Sequence, residues 1–220
     1  MTLAELIAAF RLESDDRVTP YLWSDAEIAG YLAEAENEAC IRARLLFDET
    51  TIGVASLAVV SGQSWLNLHP SILRVLRARL ASGNCPLALT SPDELDRMSS
   101  DWESQTGTPR LIYVAGSKLR LIPQPDATDT LYLNVFRAPL VQLDSGYLTG
   151  EPEIAEPHHA GLLRWALYRG YSKRDEDAFD PGRAQIALQQ FEREFGPRPS
   201  ARAIRQHLDG RPHSVRAIGF

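Results

Sequence analysis

The sequence predicts an α+β fold: an antiparallel helical bundle built from both chain ends, an inserted small antiparallel β domain, and an extended C-terminal arm. Three observations predict it. Apolar residues recur at three- and four-residue steps near both ends of the 220-residue chain. The middle instead holds short β-rich runs broken by Gly, Pro and Asn. The last stretch, from Pro197, has three prolines and no long apolar stripe. The expected divisions are 1–50 for the N-terminal helices, 51–150 for the β-rich insertion, 151–196 for the C-terminal helices and 197–220 for the arm.

The elements follow in chain order. Thr2 and Glu5 have capping-box spacing ahead of Ala4–Phe10, a run of helix formers. Ser24 and Glu27 repeat that signal. Ile28, Tyr31, Leu32, Ala35, Ala39, Ala43 and Leu46 then line one face of a helix of about six turns. Trp23, just before the cap, is placed to staple onto the first turn. Strands are expected within Thr51–Val60, Trp65–Leu68, Ile72–Leu80, Leu111–Val114, Leu119–Ile122 and Leu131–Phe136. Ala115-Gly116-Ser117-Lys118 reads as a tight hairpin between two of them. Ser91-Pro92 opens a short helix to about Met98, with proline in its first turn. Glu156-Pro157 starts a helix carrying Leu162, Leu163, Ala166, Leu167 and Tyr171. Asp180-Pro181 caps another, with Ala184, Ala187, Leu188, Phe191 and Phe195 on one stripe, ended by Gly196-Pro197. Ser200 is placed to cap a further short helix to about His207.

Composition is that of a globular protein, with 44% hydrophobic and 24% charged residues. No apolar run reaches the ~20 residues that span a bilayer, so no membrane partner is expected. The start lacks the basic and apolar regions of a signal peptide. Cys40 and Cys85 have no CxxC spacing and read as reduced thiols. The net charge of −6 is unevenly spread. Residues 197–220 hold Arg198, Arg202, Arg205, Arg211 and Arg216 against Asp209 alone, for +4, which leaves −10 on the first 196 residues. Such an arm either stays solvated or orders on an acidic protein surface, possibly another copy's body. Its tip, Ala217-Ile218-Gly219-Phe220, is apolar.

The residues give no pattern for catalysis, and the chain is expected not to be an enzyme. It has no GxSxG elbow, phosphate-binding glycine loop, HExxH or EF-hand pattern. His158-His159 are adjacent on a helix start, about 100° apart, which suits one metal ion poorly. Asp15-Asp16 and Asp175-Glu176-Asp177 are acid clusters that could do acid–base work only in a cleft facing a substrate, and Asp175–Asp177 reads instead as a solvated interhelical turn. Cys40 falls on the apolar face of its helix, the place of an inert thiol. Trp65, Trp102 and Trp165 read as core or interface anchors, since an acidic body repels nucleic acid. Arg42 with Arg44, and the row Arg74, Arg77 and Arg79, suit inter-subunit ion pairs better than DNA contacts. No cofactor or metal is expected.

Several phrases in order resemble a known family. They are Val18-Thr19-Pro20-Tyr21-Leu22-Trp23-Ser24-Asp25-Ala26-Glu27-Ile28, Glu38-Ala39-Cys40-Ile41-Arg42-Ala43-Arg44, Gly107-Thr108-Pro109-Arg110 and Leu121-Ile122-Pro123-Gln124-Pro125. Val135-Phe136-Arg137-Ala138-Pro139-Leu140, His158 to Leu167, and Phe191-Glu192-Arg193-Glu194-Phe195-Gly196 follow. Together, over residues 3 to 196, they are similar to the head–tail adaptor (connector) proteins of tailed bacteriophages. The resemblance implies a structural virion protein, located in the neck after assembly in the host cytoplasm. It also implies a ring, typically of twelve copies, under the portal protein, joined to a tail or nozzle protein and close to the DNA in the channel. It carries over no catalytic residue. By analogy with related adaptors, Arg198, Arg202, Arg205, Arg211, Arg216, Ile218 and Phe220 become the expected portal-binding residues. The rival reading is another neck or tail-tube component that does not touch the portal.

Overall fold

The computed structural model describes residues 1–83, 85–175 and 177–200. The chain divides into two compact units, Met1–Leu46 with Arg137–Pro199, and a second containing Phe47–Phe136.

The first unit is helical. Helix α1 spans Leu3–Ser14, α2 Asp25–Ala43, α4 His159–Tyr171 and α5 Pro181–Phe195. Both N-terminal helices start at complete capping boxes, Thr2 with Glu5 and Ser24 with Glu27. The reciprocal bonds satisfy backbone donors that the first helical turn leaves open. Asp180 caps α5 by accepting from the Arg183 N–H, and Pro181 takes the first turn. Both α1 and α5 pack on α2 and α4. Their buried stripes include Leu6 and Phe10 of α1, Ile28 and Leu32 of α2, Leu162 and Ala166 of α4, and Phe191 and Phe195 of α5. Trp23 does more than staple α2: it is edge-on to Phe10 at 5.4 Å and to Tyr171 at 5.9 Å, joining α1 to α4. Gly170 makes room for this cluster, because a Cβ there would lie 3.2 Å from the Phe10 ring and 3.4 Å from the Trp23 indole.

The second unit overturns the expected fold class. Its sheet is not a small antiparallel insertion in a helical bundle. It has eight strands, it dominates the architecture, and it is mixed rather than antiparallel. The strands are β1 Leu46–Asp48, β2 Ser56–Val59, β3 Trp65–Asn67, β4 Ile72–Leu80, β5 Pro86–Leu89, β7 Leu111–Ala115, β8 Lys118–Ile122 and β10 Asp129–Arg137. Their order is β1-β10-β4-β5-β7-β8-β3, with β2 also on β10. The two-residue strands β6, Thr106–Gly107, and β9, Gln124–Pro125, pair separately and in parallel. The physical reason for the miss is that short runs look marginal one at a time. Pairing far apart in sequence, as between β5 and β7, fuses them into one surface. Strand β5 was not expected at all. The run 51–60 is a strand only from Ser56, after a turn in which Ala55 and Val54 donate to the Thr51 carbonyl.

The expected hairpin forms: β7 and β8 pair from Leu111↔Ile122 to Ala115↔Lys118, and Gly116 takes φ +60 at the turn. Alternation decides the two faces. Ile112, Val114, Leu119, Leu121, Leu131, Leu133 and Val135 enter one core. Tyr113 and Ile122 point the other way, into a second cluster with Leu95 of the short helix α3, Pro92–Met98, and Trp102. Of the expected C-terminal arm, Pro197–Ser200 follow α5 without regular structure, and the helix expected after Ser200 lies outside the described residues.

Candidate functional site

The described part of the arm begins at a buried charge cluster. The α5 helix ends at Gly196, whose φ of +84 suits a residue without a Cβ. Arg42, on the last turn of α2, has only 3% of its side chain exposed. Its Nε donates to Glu38 Oε2 at 3.2 Å and its Nη1 donates to the Gly196 carbonyl at 3.3 Å. Glu192 lies 3.7 Å away, and the guanidinium sits 5.1 Å from both the Trp165 and the Phe191 ring centres. Glu38 is also buried, and its second oxygen meets Arg198 Nη2 at 3.2 Å. One buried carboxylate thus holds two arginines. Arg42 fixes the end of α5, and Arg198 fixes the first residues beyond it. This cluster sets where the chain leaves the helical unit.

Arg198 is the one expected portal-binding residue within the described part. Arg202, Arg205, Arg211, Arg216, Ile218 and Phe220 lie outside the described residues. The other candidates read from sequence have structural surroundings. His159 is buried. Its Nδ1 is 2.8 Å from the Met1 amino group and its Nε2 2.9 Å from the Ile154 carbonyl. A neutral ring with the proton on Nε2 satisfies both contacts. His158 faces Glu194 at 3.9 Å and the Phe195 ring. Among the described residues, no group of three or more His, Cys, Asp or Glu side chains is arranged to hold a metal ion.

Asp16 is buried and ties down the turn between α1 and α2. It accepts from Arg11 at 2.8 Å, from the Leu22 N–H at 3.0 Å and from the Trp23 N–H at 3.5 Å. Burial pushes the Cys40 thiol up to about 12, which leaves it without thiolate character. Trp102 donates to Asp96 at 2.8 Å, and Arg120 lies over both the Trp102 and Trp65 rings. Arg77 and Arg79 are exposed on β4, with Arg79 over the Tyr132 ring.

Sequence reasoning missed a second buried carboxylate. Glu36 of α2 accepts from the Glu153 N–H at 2.5 Å and the Ile154 N–H at 3.2 Å. Desolvation raises it to about 7, against the lowering effect of these two donors. Glu153 in turn accepts from the Leu140 and Val141 N–H groups at 2.6 and 2.7 Å and from Arg137 Nη1 at 2.6 Å. The two acids pin the connection that precedes α4. The available signal was an acid interrupting the apolar face of α2, but its partners are more than a hundred residues away.

The model of the SU10 adaptor protein family matches residues 1–216, almost the whole chain. No curated protein matches it. The resemblance to phage head–tail adaptors carried by the sequence phrases is shown by this match. Its buried charges serve to place backbone segments, as a structural component requires, and the chain belongs to the SU10 adaptor protein family, with the structural role of a phage adaptor.

Proposed function

We propose that the protein forms a ring beneath the portal of a tailed phage, lines the DNA channel there, and joins the portal to a tail or nozzle component. It acts by binding, not catalysis, at the virion neck, and so serves genome packaging and ejection. The observation that carries this reading is the family match over residues 1–216. The distribution of charge supports it: the arm from Pro197 holds five arginines and one aspartate on a chain whose net charge is −6. The Glu38–Arg198 contact gives that arm a defined point of departure. We assign portal docking to Arg198, Arg202, Arg205, Arg211, Arg216, Ile218 and Phe220.

Fixing a backbone segment on a partner surface costs about 1–2 kcal/mol per residue in backbone entropy. Repetition around a ring, expected to hold twelve copies, offsets that cost by making later contacts intramolecular. The test is co-sedimentation and electron microscopy of the chain with portal protein, using the full chain and a truncation ending at Gly196. The full chain should bind as a ring and the truncation should stay folded without binding. Portal binding by the truncation would refute the arm assignment. Failure of the full chain to bind portal would favour a neck or tail-tube component instead.

A further inference from the structure

The ring reading requires each copy to offer two different patches, one to each neighbour, because a head-to-tail contact cannot be made by one self-complementary face. The helical unit carries two such patches. The first is the loop Leu140–Gly150. Leu140, Val141, Tyr147 and Leu148 are all exposed on it, Val141 to 71% and Tyr147 to 67%. Its backbone is tied down nonetheless. Glu153 takes the Leu140 and Val141 N–H groups, and the carbonyls of Leu148 and Gly150 accept from Ala4 and Leu3 at 3.0 and 2.7 Å. A loop held at both ends while presenting apolar side chains has the features of a recognition surface. Its outward charge is negative: Asp144 lies within it and Glu151 just after it, whereas Glu153 is paired with Arg137 at 2.6 Å and Glu156 lies 3.8 Å from the Met1 amino group.

The second patch is the exposed arc of α5. Arg183, Ile186, Gln190 and Arg193 follow at steps of three and four and share one side of the helix. Ile186 is 57% exposed, and Phe179, just before the helix, 53%. The acids of this helix are turned to their own chain, Glu192 towards Arg42 and Glu194 towards His158. Arg183 is likewise turned to its own chain, 3.5 Å from Asp180 and donating to the Tyr171 hydroxyl at 3.3 Å, so Arg193 is the charge that this partly apolar arc presents outward. The two patches are made by different elements. The loop is anchored at the start of α1, and α1 and α5 each pack on α2 and α4 but not extensively on each other.

We propose that the acidic, apolar loop Leu140–Gly150 of one copy packs on the basic α5 arc of a second copy, and that this contact, repeated, closes the ring. The proposal rests on the ring reading above and adds the surfaces that make it. Tyr147 and Val141 anchor the contact against Ile186 and Phe179, while Glu151 meets Arg193. Opposite charge selects this docking over the acid-on-acid alternatives that an acidic helical unit otherwise offers.

The test uses the full chain with Cys85→Ser, so that no native exposed thiol competes. Tyr147→Cys and Gln190→Cys variants are mixed under mild oxidation. A disulfide-linked heterodimer should form in the mixture and far less in either variant alone. Separately, Arg193→Glu should raise the concentration needed for assembly about tenfold, and adding Glu151→Arg should restore it. Assemblies that form without this cross-link and ignore the charge reversals overturn the surfaces but leave the ring reading standing. A chain that never assembles at high concentration, alone or on portal, overturns both. Circular dichroism of each variant separates a lost contact from a lost fold.

Discussion

The helical unit and the sheet unit use opposite strategies to define a structure. In the helices the defining signals are local. Thr2–Glu5 and Ser24–Glu27 mark the starts of α1 and α2 within four residues of sequence. In the sheet they are remote. β10 holds β2 through Asp129↔Val59 to Tyr132↔Ser56, and β5 holds β7 in parallel across α3 and its loops. Local signals can be read and removed one at a time, whereas a strand's role exists only once its neighbour has arrived. Buried acids follow a similar division. In the helical unit Glu36 accepts from backbone more than a hundred residues away and Glu38 holds Arg198, whereas in the sheet unit the buried Asp48 accepts from the neighbouring Thr50 and Thr51 N–H groups.

The largest expected effect tests whether both units need their aromatic or aliphatic centres equally. Trp23→Ala removes an indole 1% exposed and in contact with two helices, and should cost about 4 kcal/mol in denaturant unfolding. Leu133→Ala, at a fully buried point of β10, should cost about 3 kcal/mol. A sheet variant that loses under 1 kcal/mol would show that the eight strands do not share one core.

Next comes a pH test of the buried acid. Glu36 has its proton affinity raised from 4.5 to about 7 by burial, so folding favours its protonated form. Its contribution is fully present below pH 4.5 and is lost as pH rises through about 7. The loss is on the order of 3 kcal/mol. Glu36→Gln should flatten that slope and leave stability near pH 5 little changed. An unchanged slope in thermal melts from pH 4.5 to 8 would remove Glu36 from the account.

Smaller effects probe the local signals directly. Ser24→Ala removes one half of a capping box and should cost about 1 kcal/mol. The smallest change is expected at Gly161, where a Cβ would run into the Glu194 carboxylate, the far end of a flexible side chain. Gly161→Ala gains about 1 kcal/mol of helix propensity and loses a comparable amount in displacing Glu194. Calorimetry should therefore find it near neutral, and Gly161→Ala combined with Glu194→Ala should be the more stable than Glu194→Ala alone.

The chain's own letters determined the helix starts, most of the stripes that the helices bury, the β7–β8 hairpin and the concentration of arginine after Pro197; of the stripe expected on α2, Ala43 is exposed and Leu46 instead begins β1. Each depends on residues within a turn or a tight loop of one another, so spacing alone carries the physics. Only the tertiary structure decided that the strands merge into one mixed eight-stranded sheet, that β5 exists, and that Glu38 holds Arg42 and Arg198 together. Those outcomes depend on groups brought together from distant positions. A strand's partner, or a buried carboxylate's, is chosen by the burial and hydrogen bonding that the whole fold makes available, which no short stretch of sequence contains.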